Sequence, residues 1–101
     1  MSASIDMMEE SLRLPKVLDL VAAASLLESF IDRRGSPLVI DGGDVERVGA
    51  QCLQILLAAR AAWATDNQVL ALENCSDDLR AGLVALGTAP ESLTFYKEQA
   101  A

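Results

Sequence analysis

Short apolar runs alternate along this chain with longer segments of helical periodicity, and nothing else in it restricts the fold as tightly. Pro37-Leu38-Val39-Ile40-Asp41 is a continuous apolar run, the pattern of a central strand buried on both faces. Gln68 to Glu73 (QVLALE) is a second such run. Between Asp19 and Gly35, Ala23, Leu26, Leu27, Phe30 and Ile31 recur at helical spacing, with Glu28, Ser29, Asp32 and Arg33 on the other side. The spacing predicts a helix over about Val21–Arg34. Arg33 and Arg34 suit its negative C-terminal end, and Gly35 suits the position just beyond it. Ala50 to Ala64 is rich in alanine and leucine, with Gln51, Gln54 and Arg60 its only strongly polar residues.

The remaining segments complete the order. Ser11-Leu12-Arg13-Leu14 alternates as a half-buried strand does, and Pro15 ends it. Gly42-Gly43-Asp44 and Thr65-Asp66-Asn67 read as turns. Ser76 is placed to cap a third helix, with Asp77 and Asp78 in its first turn and Leu79, Leu83 and Leu86 at helical spacing up to Gly87. Leu93-Thr94-Phe95-Tyr96 reads as a last strand. Residues 1–10 read as a loose start, and Lys97 to Ala101 as a frayed tail. The result is β-α-β-α-β-α-β, an α/β domain whose helices cover a mostly parallel sheet through right-handed crossovers.

At 101 residues and 51% apolar, the chain is one domain that can bury roughly two-thirds of its unfolded surface. Fifteen acids against eight bases give a formal charge of −7, which suits neither nucleic acid nor an anionic membrane. The absence of histidine removes Ser-His-Asp and Cys-His catalysis and histidine metal ligands. No recognisable nucleophile stands beside a base, and an enzyme is not expected. Gly42-Gly43 matches neither GxGxxG nor the P-loop spacing, so no nucleotide cofactor is expected. Asp41, Asp44, Glu46 and Glu73 lie at or near strand ends without a calcium-loop pattern, so no metal is expected there. They read instead as solvated or partner-facing acids. Met1 to Glu10 has no basic leader and no stretch is long and apolar enough to span a membrane, which points to a cytoplasmic protein.

Cys52 and Trp63 leave two readings each. Cys52, in the first turn of the central helix, is either an activated thiol or a small core residue. Cys75, without a CxxC or zinc spacing, reads as an inert reduced thiol. Trp63 follows Gln51, Ile55 and Ala59 at four-residue steps; that stripe either faces outward and marks a partner surface or makes Trp63 a core-edge aromatic. Leu53, Leu56, Leu57 and Ala64 are expected on the sheet side.

Element order and local motifs together resemble the STAS domain, the fold of anti-sigma-factor antagonists and of the cytoplasmic domains of sulfate transporters. Leu18-Asp19-Leu20 resembles the family's strand-to-helix turn, and Leu38-Val39-Ile40-Asp41 with Val45 and Val48 its central strand and exit. Leu70 to Asn74 and Leu79 to Gly87 resemble the next strand and helix. Gly49-Ala50-Gln51-Cys52-Leu53 occupies the place of the family's Asp-Ser-Ser-Gly-Leu. In phosphorylated members the second serine accepts the phosphate; here that position is Gln51, preceded by Ala50 and Gly49, and none of the three can. Ser76 is a hydroxyl elsewhere that a kinase could use instead. With Leu56-Leu57-Ala58-Ala59 and Trp63, the pattern is similar to the small STAS proteins of bacterial chemotaxis operons.

That resemblance implies a phosphorylation-independent interaction module whose partner is the chemotaxis histidine kinase. It leaves two alternatives, an anti-sigma-factor antagonist and a STAS subunit regulating the ATPase of a lipid ABC transporter. The expected contact residues are Asp19, Asp44, Glu46, Arg47, Gly49, Ala50, Gln51 and Gln54, around an apolar band on the central helix.

Overall fold

The computed structural model describes residues 10–96. The readings of residues 1–9 and 97–101 lie outside them. Three strands form a parallel sheet in the order β1-β3-β5: β1 (Glu10–Arg13), β3 (Leu38–Asp41) and β5 (Leu70–Glu73). The register stacks Leu12, Ile40 and Leu72 across the sheet, and Leu38 on Leu70 one step earlier. A second, two-stranded parallel ladder joins β2 (Val17–Leu18) to β4 (Arg47–Val48). The helices are α1 (Leu20–Asp32), α2 (Ala50–Thr65) and α3 (Asp77–Ala85).

The crossovers β1-α1-β3 and β3-α2-β5 advance in one direction across the sheet, so one handedness places α1 and α2 side by side on one face. Phe30 of α1 meets Trp63 of α2 edge-to-face at 5.9 Å. Beneath them Leu26, Leu38, Ile40, Leu53, Leu56 and Leu70 form the core. The central strand alternates: Leu38 and Ile40 are buried, whereas Val39 is half-covered. The expectation of burial on both faces therefore holds for one face only, because both long crossover helices lie on that side.

The third helix packs against the small ladder. A Cβ at Gly82 would come within 2.6 Å of Val48 Cγ1, and one at Gly42 within 2.7 Å of Leu79 Cδ2, so both glycines permit close approach. Ser76 caps α3 as its position predicts: its Oγ accepts from Leu79 N at 3.0 Å and donates to the Val45 carbonyl at 2.6 Å. The cap thus ties α3 to the loop that enters β4. Gly87, at φ +91°, turns the chain out of α3, and Thr88 N donates back to the Leu83 carbonyl at 2.9 Å.

Three local readings change. The segment read as a last strand is a 3₁₀ turn (Pro90–Leu93) followed by a single antiparallel bridge from Phe95 to Leu70. Pro90 opens that turn, and burial of Leu93 holds it in place of a longer ladder. The stripe ending at Trp63 is not one face. Each four-residue step rotates the helix by about 40°, so three steps turn the chain by about 120°. Gln51 is exposed while Ala59 and Trp63 are buried. Trp63 Nε1 donates to the Ser36 carbonyl at 2.7 Å, which satisfies its one polar group. Leu57, expected on the sheet side, is on the exposed side.

Candidate functional site

The β2-β4 ladder builds the candidate face. Its pairing sets Val17 against Arg47 and Leu18 against Val48. Glu46 N and Arg47 N both donate to the Lys16 carbonyl, at 2.7 and 3.2 Å, and Gly49 N donates to the Leu18 carbonyl at 2.8 Å. These bonds bring the start of α1 beside the start of α2. Asp19 caps α1, its Oδ1 accepting from Val21 N at 3.1 Å and Ala22 N at 3.2 Å. Its carbonyl accepts from the Cys52 thiol at 3.3 Å, a direct link between the two helix starts.

Asp19, Glu46, Arg47, Gly49, Ala50 and Gln51 are thus gathered on one edge, and Gln54 follows one turn along α2. All are exposed except Gly49, which is half-buried. Asp44 sits in the loop before β4 and lies 3.8 Å from Arg13 as an exposed ion pair. The α2 start has no side-chain cap, since Gly49 stands at the N-cap. A Cβ at Gly49 would meet only the Leu18 carbonyl at 3.5 Å, so steric need does not explain the glycine.

Sequence reasoning missed two residues of this edge. Leu20 and Val21 are 69% and 87% exposed, directly after the Asp19 cap. The signal was present for Val21, which falls opposite the Ala23-Leu26-Phe30 face on a helical wheel, whereas Leu20 lies about 90° from that face. They set apolar surface beside Gln51 at the meeting of the two helix starts, a mixture typical of interface centres with polar rims.

The remaining candidates are occupied otherwise. Asp41 Oδ1 accepts from Gly43 N at 2.9 Å. Among the described residues no group of three or more side chains is placed to hold a metal ion. The Ser76 hydroxyl is engaged at both ends in the α3 cap. A solvent-open cavity of about 430 Å³ at the end of β5 is lined by Asn74, Arg80, Glu91, Thr94 and Tyr96 among others, and holds no residue of the candidate face.

Cys52 is a core residue. Burial pushes its thiol above the usual range, and the nearby Asp19 carboxylate adds to this. Burial likewise raises the Cys75 thiol, opposed by Arg80 and reinforced by Glu91 and Asp77. Neither is poised as a nucleophile. With a disulfide reagent at about pH 8, the half-buried Cys75 is expected to react first and Cys52 only after denaturation. Rapid reaction of both in the native chain would contradict this burial. Stability is expected to fall as pH rises through the ordinary thiol value of 9.0, because the unfolded thiols ionise first.

These features define a small α/β domain with an exposed edge of polar and apolar side chains at the start of its central helix. Residues 2–90 match the family model described as Mlab, STAS domain, and the chain belongs to that family. STAS domains mediate protein–protein interactions in regulation. No curated protein and no solved structure matches the chain significantly.

Proposed function

We propose that this STAS domain is a phosphorylation-independent interaction module of bacterial chemotaxis signalling whose partner is the chemotaxis histidine kinase. The observation that carries the first part is the exposed Ala50-Gln51 pair at the start of α2, where phosphorylated members of the fold carry a hydroxyl. Phosphorylation works as a switch by adding a dianion at such a surface. Here the surface is retained without that switch, so binding is constitutive or regulated on the partner's side. The choice of kinase rests on the similarity of the Gly49-Ala50-Gln51-Cys52-Leu53 segment and Trp63 to the chemotaxis-operon STAS proteins.

On this reading Gln51 and Gln54 supply polar contacts, Glu46 and Arg47 orient the approach, and Leu20 and Val21 add the apolar centre. The test is a pull-down from native cytosol with tagged wild-type chain and the Gln51→Arg variant in parallel. Recovery of a chemotaxis kinase by the wild type alone is the expected result. Recovery of an ABC-transporter ATPase or an anti-sigma factor would overturn the choice of partner. Equal recovery of the kinase by both proteins would overturn the choice of face.

A further inference from the structure

Two helical stripes with the same spacing run side by side on the outer surface. On α1, Leu20, Ala24, Leu27 and Ile31 follow steps of four, three and four residues. On α2, Gln51, Ile55, Ala58 and Ala62 follow the same steps. Such steps keep residues on one face of a helix, as in a coiled-coil seam. The α1 stripe is open to solvent, with Leu27 46% and Ile31 60% exposed. Between the stripes lies an apolar groove of about 190 Å³, lined by Leu27, Ile31, Ile55, Ala58 and Ala62 and floored by Trp63. The small side chains of Ala58 and Ala62 leave room for another backbone to approach.

The geometry points to a seat for an amphipathic helix of a protein partner, one with an apolar stripe at heptad spacing and a basic flank. The stripe from Leu20 to Ile31 spans about 16 Å, three turns of such a helix. Charge selects the flank. Glu28 and Asp32 lie one turn apart on the outer margin of the stripe, exposed and without a salt bridge among the described residues. The one cation lining the groove, Arg34, is held by both Asp66 oxygens at 2.8 and 3.1 Å. A second copy of this chain fits poorly. An antiparallel α1–α1 pairing with Leu20 opposite Ile31 sets Asp32 opposite Asp19 of the other copy, between two chains of charge −7. The groove runs from Leu27 and Ile55 onward along the same two helices whose starts form the candidate face. The inference rests on the reading of the chain as an interaction module and does not require the kinase.

The test uses the full chain and two labelled synthetic peptides of three heptads, with leucine at both core positions. One peptide carries lysine at the flanking positions and the other glutamate. Fluorescence anisotropy is expected to show binding of the lysine peptide and at least about tenfold weaker binding of the glutamate peptide. Ala58→Arg, at an exposed helical position, is expected to weaken the lysine peptide by about tenfold or more at unchanged melting temperature. Ile31→Gln serves as a second groove variant should Ala58→Arg disturb folding. The double variant Glu28→Lys, Asp32→Lys is expected to reverse the peptide preference. Equal binding of both peptides, no binding of the lysine peptide, or indifference to both groove variants overturns the proposal. A concentration-dependent dimer dissolved by Ala58→Arg would assign the groove to a second copy and overturn it as well. Peptide discrimination without kinase recovery removes the kinase and leaves the groove; kinase recovery lost in Gln51→Arg without peptide binding does the reverse.

Discussion

Trp63→Ala is expected to lower the unfolding free energy by about 3–5 kcal/mol, the range for removing a large buried aromatic. Three losses combine. The indole is fully buried, so its removal opens a cavity between α1 and α2 where both pack on the sheet. The edge-to-face contact with Phe30 disappears. The Ser36 carbonyl loses the Nε1 donor at 2.7 Å. A domain of this size is stable by about 5–15 kcal/mol, so the change removes a large share. The melting temperature should drop by on the order of 20 °C, measured by circular dichroism because the variant has no tryptophan. Trp63→Phe separates the causes: it keeps most of the packing and should cost about 1–3 kcal/mol, much of it the unpaired carbonyl. A loss under about 1 kcal/mol in Trp63→Ala would show that Trp63 is not a core residue in solution.

The double variant Glu46→Arg, Gln51→Arg is expected to weaken kinase binding about a hundredfold, or about 2.7 kcal/mol, at nearly unchanged stability. Both side chains are exposed and make no hydrogen bond or salt bridge with the rest of the described chain. Their backbones do the structural work through Lys16 and the first turn of α2, and arginine leaves that intact. Stability should therefore stay within about 0.5 kcal/mol. Two mechanisms add in the complex. A bulky cation at Gln51 obstructs the closest approach to the helix start, which raises the dissociation rate. Charge reversal at Glu46 lowers the association rate, an effect that shrinks as salt is added. Calorimetry at two ionic strengths separates them. Unchanged affinity with a folded variant would place the partner on another surface.

Much of the candidate site was legible before the fold. A helix N-terminus lacking a hydroxyl at Ala50-Gln51 is a statement about residue types in order, and order needs no third dimension. The Ser76 cap was legible for the same reason, since capping is an interaction over three residues. Trp63 was not, because a helix apolar around most of its circumference gives no periodicity from which to choose a face. The exposed Leu20 and Val21 were passed over because an apolar pair at a helix start gains meaning as part of a surface only once the neighbouring helix start is placed beside it. The groove was hidden more completely. Its two stripes lie on helices separated in sequence by the strands β3 and β4, and only their packing brings the stripes together.

The sequence by itself determined the three helices and the three strands of the main sheet, the α/β class, the absence of a phosphoacceptor at the start of α2 and the acidic character, because these follow from local patterns and composition; the two-residue strands β2 and β4 are too short to leave a pattern. Tertiary structure alone decided that Trp63 is core, that the final segment is a turn with one bridge, and that Asp19 and Gly49 are neighbours across the β2-β4 ladder. It also decided that two apolar stripes border one groove between α1 and α2. The physical reason is that burial and adjacency between distant segments depend on where a crossover lands and how helices rotate against a sheet, and no single stretch of residues contains that information.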